Sequence, residues 1–136
     1  MQQEAEAQAR RWLEQAKRDL EDARFNREGG RFALACFLAQ QSAEKALKAF
    51  IYSAEADLVW GHSVANLCDD AARYDSEFST LKPTLSPLDK YYVATRYPDV
   101  LPGGIPWQAF DVSDANHAIE LAQCALDAVA RKLANH

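Results

Sequence analysis

The 136-residue sequence has little of what metal sites and disulfide frameworks require. Its three cysteines are odd in number and widely spaced, whereas disulfide frameworks and zinc sites need closer, paired spacing. The three histidines form no ligand set either, since His117-x-x-Glu120 reverses the Glu-x-x-His order of helical di-iron sites. No metal or other cofactor is therefore predicted. Cys36 and Cys124 lie in apolar helical runs and are expected to be buried free thiols.

Long apolar runs and a basic leader are also missing. No stretch approaches the roughly 18 apolar residues of a membrane span, and the polar, acidic start Met1–Gln8 differs from a signal peptide. We therefore expect a cytoplasmic protein that does not enter a membrane.

The net charge of −5 argues against general nucleic-acid binding. The charge is uneven, because residues 1–48 hold nine basic and eight acidic residues, whereas residues 49–136 hold six and twelve. The net charge is therefore +1 for residues 1–48 and −6 for residues 49–136. The basic residues of the first half are interleaved with acids, which favours a solvated helix face.

Helical periodicity runs along most of the chain. A seam of alanines and leucines at steps of three and four predicts a first helix over about 3–27, which Gly29 and Gly30 end. A second helix over about 31–55 is apolar on more than one side, as is typical of a central or shared helix. Ser63 is the predicted N-cap of a short third helix.

The middle of the chain is more broken. Residues 76–86 are rich in serine and proline and are predicted to be turns. Pro87 suits the first turn of a fourth helix over about 87–96. No strand pattern appears anywhere, so residues 1–136 are predicted to form a single all-α domain.

Prolines and glycines then exclude a helix from 97–112. A loop of this length usually has a function or is disordered, and its Trp107 and Phe110 are expected to hold it against the other helices. A final helix is predicted over about 114–134, with Ser113 as its cap.

A polar cluster interrupts the apolar second helix. Gln41, Lys45 and Lys48 fall at i, i+4 and i+7 and therefore share a face, and Gln40 and Glu44 form a neighbouring row. One interpretation is a plain solvated stripe with a Glu44–Lys48 pair worth roughly 0.2–0.5 kcal/mol. The other interpretation is a surface on which the two lysines bind phosphate.

Three short motifs occur in order along the chain. They are Ala43-Glu44-Lys45-Ala46-Leu47-Lys48-Ala49, Gly61-His62-Ser63-Val64-x-x-Leu67 and Tyr91-Tyr92-x-x-Thr95-Arg96-Tyr97-Pro98-Asp99. Together they resemble the HEPN domain family (higher eukaryotes and prokaryotes nucleotide-binding), over roughly residues 8–134. The resemblance implies an up-and-down bundle of four main helices plus a short helix, with a Gly/Pro-rich loop before the last helix.

The resemblance also implies partners. It implies a homodimer, commonly encoded beside a minimal nucleotidyltransferase in a pair that resembles a toxin–antitoxin system. In such pairs the HEPN protein is either a ribonuclease toxin or a binding partner of the nucleotidyltransferase.

The chain departs from the pattern of the family's ribonucleases, in which four to six residues separate an arginine from a histidine. Arg96 is the natural match, but no histidine follows it in range. Arg131 and His136 fit the spacing formally. Because metal-independent RNA cleavage needs a group that titrates near neutral pH, usually histidine, the departure implies a non-catalytic branch. Cleavage by Arg131 and His136 remains a further alternative.

The resulting site hypothesis places a nucleotide or RNA where the broken loop meets the second and fourth helices. Arg96 would contact phosphate, and Tyr92 or Tyr97 would stack on the base. The predicted set is completed by Lys45, Lys48, His62 and Asp99.

Each of these residues also has a simpler interpretation. His62 could be a helix-entry residue, Arg96 could pair with Asp99 or Asp89, and the tyrosines could be core aromatics. The alternative function is a pure interaction module for the nucleotidyltransferase, with no ligand of its own.

Overall fold

Two long helices, α1 (Gln2–Glu28) and α2 (Phe32–Ser53), form an antiparallel hairpin on which most of the later helices pack. The structure is a computed structural model that describes residues 2–135. The turn between the helices is tight because Gly30 adopts a positive φ of 76°, which glycine reaches without strain. The predicted end of the first helix at Gly29-Gly30 is confirmed.

Small side chains allow the two helices of the hairpin to approach closely. The buried alanines of α1 and α2 include Ala9, Ala16, Ala23, Ala35, Ala39, Ala43 and Ala46. Ser42 of α2 donates a 2.7 Å hydrogen bond to the backbone oxygen of Ala16, which fixes the two helices in register.

The remaining elements are shorter, except for the last helix. In chain order they are α3 (Val64–Ala72), α4 (Glu77–Leu85), a 3₁₀ helix (Ser86–Tyr91), a second 3₁₀ turn (Pro98–Val100), α5 (Pro106–Ala109) and α6 (Val112–Ala134). Helix α6 packs on both helices of the hairpin. Every regular element within residues 2–135 is helical, which confirms the all-α bundle. None of the described helices is long and apolar enough to cross a membrane.

The predicted turn over 76–86 is wrong, because α4 occupies most of it. Phe78 and Leu85 are buried and Leu81 packs against the core, at the helical steps of three and four. This burial outweighs the cost of Pro83, which lies inside the helix near its end. The helix predicted over 87–96 is likewise replaced by the 3₁₀ helix and a run of turns.

The loop before α6 contains two short helical segments, although its prolines and glycines predict none. Pro98 and Pro106 each occupy the first position of one, where a missing N–H costs nothing. Phe110 packs edge-on against Tyr91 with ring centres 6.0 Å apart, whereas Trp107 is 70 % exposed. Phe110 therefore holds the loop against the bundle, and the expectation for Trp107 is wrong.

Helix α6 begins earlier than the sequence suggests. Asp111, rather than Ser113, is the N-cap, and its side chain accepts a hydrogen bond from the backbone N–H of Asp114. The side chain of Asp114 accepts one from the backbone of Asp111 in return, which completes a capping box.

An ion-pair cluster joins the last turn of α6 to the start of α4. Lys132 Nζ lies 2.8 Å from Asp75 Oδ2 and 2.9 Å from Glu77 Oε1, and Arg131 contacts the other oxygen of Glu77. The hydrogen bonds from Lys132 lower the pKa of both carboxyl groups below their ordinary values of 3.8 and 4.5.

This cluster predicts a loss of stability in acid. Because the folded-state pKa values lie below the unfolded ones, the stabilisation is complete above pH 4.5 and disappears as the pH falls through the folded values. We expect the midpoint temperature of unfolding to decrease as the pH is lowered below about 4.5, and Lys132→Met to reduce this pH dependence. Melting scans across this range measure it, with Lys17→Met as a control. Equal pH dependence in Lys132→Met and the parent protein would contradict the assignment.

Two of the three cysteines are chemically protected. Burial raises the pKa of the Cys36 and Cys68 thiols to about 12, and all three cysteines are free. Cys124 is free as expected but only half-buried, so the prediction of a buried thiol holds only in part for it. We predict that a thiol reagent at neutral pH modifies Cys124 in the folded protein and leaves the other two unmodified.

Mass spectrometry of the labelled protein identifies the modified residue. In denaturant all three thiols should react. The Cys124→Ser variant should not be labelled while it is folded. Rapid labelling of Cys36 before unfolding would contradict the packing described above.

Candidate functional site

Arg96 lies against three aromatic rings in the run of turns that follows the 3₁₀ helix. Its Cζ is 4.3 Å from the ring centre of Phe37, 4.8 Å from that of Tyr92 and 5.1 Å from that of Tyr97. Its Nε donates a 2.9 Å hydrogen bond to the backbone oxygen of Tyr92. The side chain is therefore fixed, yet it is exposed, and its terminal nitrogens form no hydrogen bond with residues 2–135.

His62 reaches the same surface from the loop between α2 and α3. Its ring stacks on Tyr92 with centres 4.7 Å apart and planes 17° apart. Its Nδ1 lies 3.3 and 3.2 Å from the two carboxylate oxygens of Glu44, while the side chain is 57 % exposed. Arg96 and His62 share Tyr92 as a neighbour, so the Arg96 Cζ and the His62 ring centre lie at most 9.5 Å apart, the sum of 4.7 and 4.8 Å.

Glu44 is the buried centre of a polar network. It is 3 % exposed and accepts hydrogen bonds from Lys48 Nζ at 3.1 Å and from the side-chain amides of Gln40 and Gln41 at 3.3 Å each. Lys48 is 6 % exposed and lies over the Trp12 ring. The predicted Glu44–Lys48 pair exists, but the interpretation of a solvated stripe is wrong for it.

The two lysines predicted to bind phosphate face other groups. The ammonium group of Lys48 is neutralised by Glu44. Lys45 lies 2.6 Å from Asp19 Oδ2 on α1, and Gln15 donates a 2.8 Å hydrogen bond to the other oxygen of Asp19. Lys45 therefore joins α2 to α1 by an ion pair, whereas Lys48 pairs within α2 and reaches α1 through the Trp12 ring.

The other predicted residues are also located. Tyr97 is 53 % exposed, and Asp99 is exposed in the 3₁₀ turn that follows. Within residues 2–135 Arg96 forms no ion pair, so the alternative partners Asp89 and Asp99 do not neutralise it. Arg131 lies elsewhere, beside Glu77, and His136 lies outside the described residues.

Sequence reasoning did not assign Phe37, Glu44 or Asp89 to this surface. Phe37 and Glu44 share a helix face with Gln41, at steps of four and three, so the helical period could have identified them. Asp89 gave no such signal, because its contacts with residues 63–65 exist only in the folded chain.

The arrangement suits an anion with a flat ring attached. The guanidinium offers N–H groups to phosphate oxygens, and an exposed tyrosine ring beside it offers a stacking face. Among residues 2–135, no group of three or more His, Cys, Asp or Glu side chains could hold a metal ion.

Comparisons with known proteins agree with this architecture. The HEPN domain family model matches residues 9–133. Among solved structures, TT1696 from Thermus thermophilus is 40% identical with a TM-score of 0.86, and the match covers 92% of this chain and 98% of that one.

Two further solved structures are similar. ST0689, an archaeal HEPN homologue, is 35% identical with a TM-score of 0.76, and the match covers 93% of this chain and 98% of that one. The HEPN domain protein tm0613 from Thermotoga maritima is 28% identical with a TM-score of 0.74, and the match covers 93% of this chain and 99% of that one. No significant similarity was found to any curated protein. Since the family model spans nearly the whole sequence and the fold agrees, the chain belongs to the HEPN domain family.

Proposed function

We propose that this protein binds a nucleotide or short RNA at the surface formed by Arg96, Tyr92, Tyr97 and His62. The observation that carries the proposal is the Arg96 guanidinium, held against aromatic rings with its terminal nitrogens free of protein partners among residues 2–135. A side chain that is already ordered loses little conformational freedom on binding, which favours affinity.

The roles of the four residues follow from their positions. Arg96 binds phosphate as a planar donor, and the exposed Tyr97 ring stacks on the base. The Tyr92 ring contacts both Arg96 and His62 and holds them side by side. His62 contributes its second ring nitrogen, Nε2, because Nδ1 faces Glu44.

Isothermal titration with ATP and with a short single-stranded RNA tests the proposal. Saturable binding of at least one of them is the expected result. Because the protein is acidic overall, binding should depend on this local surface rather than on total charge. Absence of heat from both ligands at millimolar concentration would refute it.

We further propose that the protein acts with a minimal nucleotidyltransferase, in a pair of the toxin–antitoxin kind. Membership of the HEPN family supports this proposal. Co-purification of the nucleotidyltransferase encoded by an adjacent gene is the expected result. Failure of the two proteins to associate when co-expressed would count against it.

A pure interaction module is the second candidate, and exposed apolar side chains favour it. Large apolar side chains are exposed between α2 and α3 and in the segment before α6, a feature typical of protein-binding surfaces. They are Leu58, Trp60, Ile105 and Trp107. Arg96→Ala separates the two functions. If the protein only binds the nucleotidyltransferase, the Arg96→Ala variant should still capture that partner. The parent protein should then bind neither ATP nor RNA.

We also propose a homodimer through the long helices. Phe25 of α1 and Leu34 of α2 are exposed apolar residues near the turn of the hairpin, and they support this assignment. Light scattering after gel filtration should give twice the chain mass of 15.2 kDa. A mass of one chain at all concentrations would contradict it.

A further inference from the structure

We infer that Asp89 is a positioning residue, which joins the His62 loop to the Tyr92–Arg96 segment and so assembles the binding surface. The inference rests on the proposed function for its consequence, but its structural part can be tested without any ligand.

The side chain of Asp89 holds the residues that directly follow His62. Its Oδ1 accepts a 2.6 Å hydrogen bond from the backbone N–H of Val64. Its Oδ2 accepts hydrogen bonds from the Ser63 hydroxyl at 2.8 Å and from the backbone N–H of Ala65 at 3.3 Å. Three donors from consecutive residues thus converge on one half-buried carboxylate.

The backbone of Asp89 holds the other half of the surface. Its carbonyl oxygen accepts a 3.4 Å hydrogen bond from the N–H of Tyr92. Tyr92 is the ring on which both His62 and Arg96 lie. One residue therefore contacts both segments, which are about 30 positions apart in sequence.

Capping of α3 alone does not account for these contacts. Ser63 already caps that helix, because its hydroxyl accepts a 3.1 Å hydrogen bond from the backbone N–H of Asn66. On the opposite side, Gln40 Nε2 donates a 2.9 Å hydrogen bond to the backbone oxygen of His62. The loop is thus anchored to α2 by Gln40 and to the 3₁₀ helix by Asp89, and the second anchor places the His62 ring on Tyr92.

The structural test compares Asp89→Ala with Asp111→Ala, which removes a helix N-cap carboxylate far along the chain. The readout is the proton NMR shift of the His62 ring, which senses the ring current of Tyr92 in the free protein. We expect the His62 signals to move toward the shifts of an exposed histidine in Asp89→Ala and to stay unchanged in Asp111→Ala. Unchanged His62 signals in a folded Asp89→Ala would overturn the inference. If the alanine variant does not fold, Asp89→Asn, which keeps one acceptor oxygen, should cause a smaller shift of the His62 signals in the same direction.

The functional test repeats the titrations with ATP and short RNA. Asp89→Ala should weaken binding about tenfold, roughly the loss of one ligand hydrogen bond, and should cause no further loss in a His62→Ala background. Parent-like affinity in Asp89→Ala would overturn the positioning role. If the parent protein binds neither ligand while the His62 signals still move, the proposed function fails and the structural role of Asp89 stands.

Discussion

Replacement of Arg96 by alanine is expected to weaken nucleotide or RNA binding by roughly 30- to 100-fold, which corresponds to about 2–3 kcal/mol for a charge-assisted contact. The reason is geometric, because the guanidinium is held against three rings while its terminal nitrogens have no hydrogen-bond partner among residues 2–135. Titration calorimetry of parent and variant measures the change directly.

Two further variants sharpen this prediction. Arg96→Lys keeps the charge but removes the planar donor, so its affinity should be intermediate. Arg131→Ala removes another exposed arginine, which pairs with Glu77, and it should leave affinity unchanged. Equal losses from Arg96→Ala and Arg131→Ala would indicate nonspecific charge attraction and contradict the assigned site.

Replacement of Glu44 by glutamine is expected to cost about 3 kcal/mol of folding free energy, because it leaves the buried Lys48 without a counter-charge. The exposed fractions of the two side chains are 4% and 8%, so water cannot compensate for the lost partner. Urea unfolding of the two proteins measures the difference.

The charge argument makes a prediction about the double variant. Glu44→Gln combined with Lys48→Met removes both charges and should recover much of the lost stability. Glu120→Gln, on an exposed position of α6, is the matched control and should change stability by less than about 0.5 kcal/mol. A Glu44→Gln protein as stable as the parent would show that the pair contributes little.

Much of the fold could be predicted because local signals and tertiary packing agree. The alanine seam of α1, the glycines at its end and the Ser63 cap are each short-range features, and each lies where expected. Prediction failed at α4, where proline suggested turns but Phe78 and Leu85 are buried on a helical face. At α4 the free energy of burying these side chains favours a helix over turns. Sequence composition does not reveal what a side chain packs against.

The site was only partly predictable for the same reason. Arg96, Tyr92 and Tyr97 are neighbours in sequence and remain neighbours in space. His62 was expected nearby, but its stacking on Tyr92 and its contact with Glu44 depend on how the loop between α2 and α3 folds back. Lys45 and Lys48 were assigned to solvent or ligand, yet α1 supplies Asp19 and Trp12, which turn them inward. The helical period identifies a face but not what covers it.

The α1–α2 hairpin has a consequence for the order in which the chain folds. Its contacts join segments linked by a tight glycine turn, so it has a low contact order and should form early on the folding pathway. The segments that carry His62, Asp89 and Arg96 are short and dock onto it across longer sequence separations. We expect amide hydrogen exchange to be slowest in the alanine-rich hairpin and fastest around residues 92–105. The surface formed by Arg96, Tyr92, Tyr97 and His62 would then be the last part of the chain to assemble and the first to unfold locally, while the hairpin beneath it stays intact.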